Sequence, residues 1–169
     1  VGSVAVSLLS RLGYEVHAAT GRPDVAGEFL RGLGAAELVL REDLSRDSKP
    51  LERETWAGVV DTVGDKTLAT AIAQTRYEGV VTACGLAGGA ALPSTVMPFI
   101  LRGVTLRGID SVMAALPRRQ RAWDALAEQI DREQLRQIYE TAPLSAVPEL
   151  AASILQGQVK GRVVIDVNA

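Results

Sequence analysis

AGVVDTVGDKTLATAIAQTRYEGVVTACG, residues 57–85, decides the fold. It opens on a short apolar run, AGVVDTVG (57–64), that ends in glycine, and closes on a second, GVVTACG (79–85), that also ends in glycine. Between them residues 66–76 carry helical spacing, with Asp65 in front as the expected N-cap. The unit is strand–helix–strand. Both strands are nearly continuous in apolar residues, as parallel strands are when both sheet faces are covered.

The same alternation runs outward in both directions. Upstream, Val4, Leu8 and Leu12 recur at helical spacing and Gly13 stops the run as a C-cap glycine does. EVHAAT (15–20) reads as a strand, 24–33 as a helix capped by Asp24 and stopped by Gly34, and AELVLR (36–41) as the next strand. Residues 42–55 are charged, contain Pro50, and read as a loop or weak helix. Downstream come the Gly-rich loop LAGGAALP, a short helix over 95–102 and the strand GVTLRGID (103–110). A helical region over 117–139 starts on Pro117 and breaks near Asp131; an extended piece (140–144), a helix (146–156) and a strand (161–168) finish the chain. Strands alternating with helices at this spacing predict a doubly wound α/β domain with a parallel sheet.

Composition narrows the functional classes. At 169 residues with 47% apolar content the chain can bury one sizeable core. A net charge of −2 gives no footprint for nucleic acid. No apolar stretch approaches the roughly 18–20 residues of a bilayer span, and no secretory signal precedes the first helix. One cysteine and one histidine predict no disulfide and no metal site. An intracellular, cytoplasmic protein is expected.

In a doubly wound sheet ligands bind outside the carboxyl ends of the strands. Those ends read Thr20-Gly21-Arg22, Gly64-Asp65-Lys66, Gly85-Leu86-Ala87-Gly88-Gly89 and Asp110-Ser111. Small residues dominate, which suits a flat ligand met by backbone N–H groups. There is no Ser–His–Asp set and no carboxylate pair, and no catalytic residue can be named. Dinucleotide folds place an Asp or Glu after the second strand to accept from the adenosine ribose. Here Thr20 and Gly21 stand in its place with Arg22 following, which favours a 2′-phosphate and hence NADPH. The plainer alternative makes Arg22 a solvated loop arginine before Pro23. Cys84 and His17 read as packing residues, Asp65 as a cap, and Arg118, Arg119 and Arg121 as one solvated helix face.

AATGRP, WAGVVDTVGDKTLA, TACGLAGGAALPSTVMPFILRGVTLRGIDSV and GQVKGRVVIDVN together resemble the cofactor domain of medium-chain dehydrogenases/reductases. The nearest branch is the zinc-independent acryloyl-CoA reductase group, also called quinone-oxidoreductase-like. The likeness runs over nearly the whole chain and is most specific over 82–113.

The resemblance implies a Rossmann-type domain that binds NADPH, in an enzyme that passes hydride to the β-carbon of an enoyl thioester. Carried over by position, Thr20, Gly21 and Arg22 would hold the 2′-phosphate. Gly64 would bind the cofactor, Gly85, Leu86 and Ala87 would lie along it toward the nicotinamide, and Asp110 and Ser111 near its carboxamide end. Arg162 is a softer phosphate candidate. Gly2 looks like the last glycine of the phosphate-binding turn, the one that lets the first helix approach the sheet. The family's first strand, its leading glycines and its N-terminal catalytic domain have no counterpart in the chain. On this reading residues 1–115 are the NADP-binding region and 116–169 the helices and strand that return toward the catalytic domain. The resemblance also implies a homodimer built through an edge strand. The expected function is NADPH-dependent reduction of the C=C bond of a short enoyl-CoA such as acryloyl-CoA, by the longer parent and not by this fragment alone. The competing readings are a quinone reductase and a non-catalytic dinucleotide-binding module.

Overall fold

The first helix, α1 (Gly2–Arg11), ends as its sequence predicts in the computed structural model, which describes residues 1–169. Gly13 takes φ +87°, its N–H donates to Ser10 O (2.9 Å) and the N–H of Tyr14 donates to Leu9 O (3.1 Å). That pair of bonds closes the helix on carbonyls that would otherwise lack donors. β1 (Val16–Thr20), α2 (Pro23–Gly32), β2 (Ala35–Leu40) and the one-turn α3 (Arg41–Leu44) follow. Then come β3 (Trp56–Asp61), α4 (Asp65–Ala73), β4 (Thr75–Ala83), α5 (Met97–Arg102) and β5 (Thr105–Gly108). The chain finishes with α6 (Leu116–Gln129), α7 (Arg132–Ile138), β6 (Tyr139–Pro143), a 3-10 turn, α8 (Val147–Leu155) and β7 (Arg162–Asp166).

All strand pairing is parallel, as the alternation predicted. β1 pairs with β2, β3 with β4, β4 with β5, and β6 with β7. β1 and β3 form no ladder with each other, so the main sheet is divided between them. Across that division the rings of His17 and Trp56 meet edge to face, centroids 5.4 Å apart. The crossover from β1 runs one way along the sheet and those from β3 and β4 run the other. Right-handed crossovers in opposite directions put α2 on one face and α4 and α5 on the other, which is double winding.

Two apolar clusters result. Val6 of α1, Val16 and Ala18 of β1, Leu30 of α2, Leu33, Ala35 of β2 and Ile138 of α7 form the first. Leu68 and Ile72 of α4, Val81 of β4 and Val104 form the second. The expectation that β3 and β4 are covered on both faces holds for one face only. Val60 and Val80 remain 41% and 43% exposed. Between β2 and β3 the chain supplies only the four residues of α3, which pack on α4 and leave those valines uncovered.

The predicted break near Asp131 lies between α6 and α7. The Asp131 carboxylate caps α7, accepting from the N–H of Glu133 (2.8 Å) and of Gln134 (3.1 Å). α7 then docks on α1, where the Ser7 hydroxyl donates to Gln134 Oε1 at 2.5 Å. No helix is long and apolar enough to cross a membrane.

Candidate functional site

The register of the first strand pair sets up one corner of the site. Thr20 pairs with Leu40, so β1 and β2 stop level with each other. The sequence reading ran the second of these strands to Arg41; it stops at Leu40, and Arg41 opens α3. Thr20-Gly21 therefore lies beside Leu40-Arg41. With Pro23, Glu42 and Ser45 they wall a cavity of about 600 Å³. The point a Cβ would occupy on Gly21 is 3.5 Å from Arg41 Cζ, so the guanidinium is laid along the bare glycine backbone. Glu42 is the cavity's one carboxylate.

Arg22, next to this cavity, takes the N-cap position of α2, with Pro23 as the first helical residue. Asp24, expected as the cap, lies inside the first turn, where its charge still suits the helix N-terminus. The backbone N–H of Arg22 donates to Thr20 Oγ1 (3.1 Å). Its guanidinium turns the other way, donating from Nη2 to Val159 O at 3.4 Å. The structure thus places Arg41 in the cavity wall and Arg22 at its rim. Arg41 escaped the sequence reading because its position follows from strand register. The available signal was an arginine immediately after the strand that neighbours Thr20-Gly21.

The ends of β3 and β4 form a second corner. Asp61, the last residue of β3, is 4% exposed. Its carboxylate accepts from the N–H of Gly64 (2.9 Å) and of Val63 (3.3 Å). Burial pushes its pKa up, against those two bonds, which pull it down. Asp65 was expected to cap α4, but the N-cap position belongs to Gly64 and no side chain caps the helix. The chain turns through positive φ at Gly64 (+77°) and Asp65 (+49°), and Asp61 supplies the acceptor from three residues upstream. The loop after β4 packs on this turn: Gly88 N–H donates to Val63 O (2.7 Å) and Gly64 bridges Gly89. A Cβ on Gly64 would strike the Gly89 carbonyl, and one on Gly85 the Thr62 carbonyl. Gly64, Gly85 and Leu86 are thereby brought together, with Leu86 67% exposed and Ala87 exposed beside it. The Cys84 thiol donates to Asp61 O (3.1 Å) and burial raises its pKa, which fits a packed thiol and not a nucleophile.

Asp110 and Ser111 follow β5 on the same edge of the sheet. The Asp110 carboxylate accepts from Met113 N–H (3.0 Å) and Val112 N–H (2.9 Å), bonds that hold its pKa below the ordinary range. Arg119 Nη1 donates to Ser111 O (2.6 Å), while Arg118 and Arg121 are exposed. Gly2, read as permitting a close approach of α1 to the sheet, is exposed with no atom within 4 Å of where its Cβ would be. No group of three or more His, Cys, Asp or Glu side chains could hold a metal.

The chain is similar to known proteins along nearly its whole length. Residues 1–132 match the model of the zinc-binding dehydrogenase family. Over the whole chain the protein is 52% identical to acrylyl-CoA reductase AcuI of Ruegeria pomeroyi, covering 51% of it. It is 41% identical, over 98% of its length, to the putative quinone oxidoreductase YhfP of Bacillus subtilis, covering 50% of that protein. A structure of B. subtilis yhfP with NAD bound has a TM-score of 0.91 to this one. The yhdH oxidoreductase of Salmonella enterica, solved in complex with NADP, has a TM-score of 0.95 at 46% identity; the match covers 98% of this chain and 51% of that one. The chain spans about half the length of the curated relatives it matches. The family is named for zinc, yet with one His, one Cys and no metal-holding cluster these residues do not fit that ion. As the resemblance to medium-chain dehydrogenases/reductases led us to expect, the chain belongs to the zinc-binding dehydrogenase family.

Proposed function

We propose that this chain is the cofactor-binding part of an NADPH-dependent reductase that acts on the activated C=C bond of a short enoyl-CoA such as acryloyl-CoA. The observation that carries the reading is Arg41 lying along Gly21 in the cavity at the level ends of β1 and β2. NAD-type sites place a carboxylate at the end of the second strand, which would repel a 2′-phosphate. A guanidinium there donates paired, charge-assisted bonds to the phosphate oxygens. Arg22, at the rim, would add a second positive charge once its guanidinium leaves Val159 O, and the hydroxyl of Thr20 and backbone of Gly21 complete the pocket.

The rest of the sheet edge fits the remainder of a dinucleotide. Gly2, at the N-terminus of α1, would face the pyrophosphate, where helix N–H groups favour an anion. Gly64, Gly85, Leu86 and Ala87 would offer backbone toward the nicotinamide, and Asp110 and Ser111 would lie by its carboxamide. NADPH, when bound, supplies the hydride. The chain's own residues bind and orient; we assign none of them a proton-transfer role, so the chain alone is expected to bind cofactor without turnover. The acrylyl-CoA reductase name of the 52% identical relative supports the thioester substrate. The putative quinone oxidoreductase name of YhfP supports a second reading, reduction of a quinone. We place the enzyme in the cytoplasm as a homodimer paired along the free edge of β5, with residues 116–169 returning toward a catalytic domain.

Isothermal titration of the full-length protein with NADPH and NADH tests the cofactor assignment. NADPH should bind more tightly. Arg41→Ala should weaken NADPH roughly tenfold or more, the loss of a charge-assisted bond, and leave NADH nearly unchanged. Equal affinity of the unmodified protein for both dinucleotides would sink the assignment. Turnover of acryloyl-CoA against that of a simple quinone decides between the two substrates.

A further inference from the structure

Asp61 is the one carboxylate buried in the molecule, and no lysine, arginine or histidine pairs with it. Its only side-chain partners are two backbone N–H groups of the turn it begins, Val63 and Gly64. A buried carboxylate without a cation is costly, and ordinary strand termini manage without one. What it holds is an unusual piece of backbone: Gly64 and Asp65 are consecutive residues at positive φ, the second of them not glycine.

The backbone carbonyl of the same residue holds the neighbouring loop. Asp61 O accepts from the Cys84 N–H (3.0 Å) and from the Cys84 thiol (3.1 Å), at the point where the 85–89 loop leaves β4. Two residues further along, Val63 O takes the Gly88 N–H at 2.7 Å. The Thr62–Gly85 and Gly64–Gly89 approaches leave no space for a side chain between the two loops. A shift of the 61–65 turn therefore moves the 85–89 loop with it. The apex of that loop, Leu86 and Ala87, is solvent-exposed on the carboxyl edge of the sheet.

We infer that Asp61 is a positioning residue: its carboxylate fixes the 61–65 turn and, through the backbone interlock, the 85–89 loop in the arrangement that the nicotinamide end of the dinucleotide requires. This rests on the cofactor reading proposed above. It makes a sharper demand than that reading, because the adenosine end, held around Gly21 and Arg41, rests on a different apolar cluster with no hydrogen bond to the 61–65 turn, and should not register a change at Asp61.

The test uses full-length protein and two probes, NADPH and 2′-phospho-ADP-ribose, which carries the adenosine phosphates but no nicotinamide. Asp61→Asn keeps the side chain's size but leaves one acceptor oxygen for two N–H donors. NADPH should bind roughly tenfold more weakly to the variant and kcat should fall. Affinity for 2′-phospho-ADP-ribose should stay within about twofold, since the adenosine contacts are untouched. Equal losses on both probes, the mark of general destabilisation, overturn the inference, and so does no loss on either. Hydrogen exchange on the unmodified protein gives a reading that does not depend on the variant folding. The amides of Gly64 and Gly88 should gain protection with NADPH and not with 2′-phospho-ADP-ribose; equal gains overturn the inference. Failure of the unmodified protein to bind either probe removes the cofactor reading itself, which separates the two failures.

Discussion

Glu52 ties the segment before β3 to the second apolar cluster, and its removal gives a stability change whose size and pH dependence can be worked out in advance. Its carboxylate receives Arg46 Nη1 (2.8 Å) and Nη2 (2.7 Å), Gln74 Nε2 (3.0 Å) and the Lys49 N–H (3.1 Å). Gln74 in turn accepts from Trp56 Nε1 (2.9 Å). The Arg46 bonds, foremost, carry the Glu52 carboxyl from an ordinary 4.5 down to about 2. The same attraction raises Arg46 and is counted once. A shift of that size corresponds to about 3 kcal/mol at neutral pH. Because Arg46 is 42% exposed, solvent screening reduces this to about 1–2 kcal/mol.

The sign follows from the lowered pKa. The contribution is present above 4.5 and is lost as pH falls from there toward 2. Glu52→Gln should therefore unfold about 1–2 kcal/mol more easily in urea at pH 7, and the gap to the unmodified protein should narrow from about pH 5 and close toward pH 2. Trp56 fluorescence reports the transition locally, in a Trp123→Phe background that removes the other indole. A difference below about 0.5 kcal/mol at pH 7, or one that does not change with pH, would refute the reasoning.

Two further outcomes follow from single features. Asp131→Ala removes both capping bonds of α7 and should cost about 1 kcal/mol in urea unfolding, while Asp131→Asn, which keeps a capping oxygen, should cost less; equal costs would point away from capping. β5 pairs on one side only, with Ile100, Val112 and Met113 at 72%, 83% and 81% exposure on or beside α5 and the loop after β5. Light scattering of the full-length protein should give twice the subunit mass; a monomer mass rejects pairing along that edge.

Much of the fold was legible because local chemistry and tertiary position agree. Gly13 and Gly34 both terminate helices at positive φ, Pro23 and Pro117 both fall in first helical turns, and Asp131 caps where the amphipathic pattern faltered. Where they disagreed, a distant partner decided. Arg41 read as a strand residue because nothing local says where β2 stops; its pairing with β1 does. Asp65 read as a cap because it directly precedes a helical pattern, but the positive φ at Gly64 and Asp65 removes it from that role and gives the acceptor to Asp61. Asp61 itself was hidden by its surroundings, since a single acid at the end of an apolar run looks like the strand reaching water. The exposure of Val60 and Val80 was equally illegible, because β-branched residues announce a strand and say nothing about what lies over it.

The division of the sheet between β1 and β3 has a consequence for cooperativity. Two-state unfolding requires that losing either half make the other unstable. Here the two apolar clusters share no residue, and no ladder hydrogen bond links them. The His17–Trp56 contact and the packing of α1 and of α3 are what remain across the boundary. The adenosine corner and the nicotinamide corner of the proposed site thus rest on different apolar clusters. A dinucleotide spanning both would act as a tether between them, so cofactor should do more than raise a midpoint. It should sharpen the transition by coupling the two clusters.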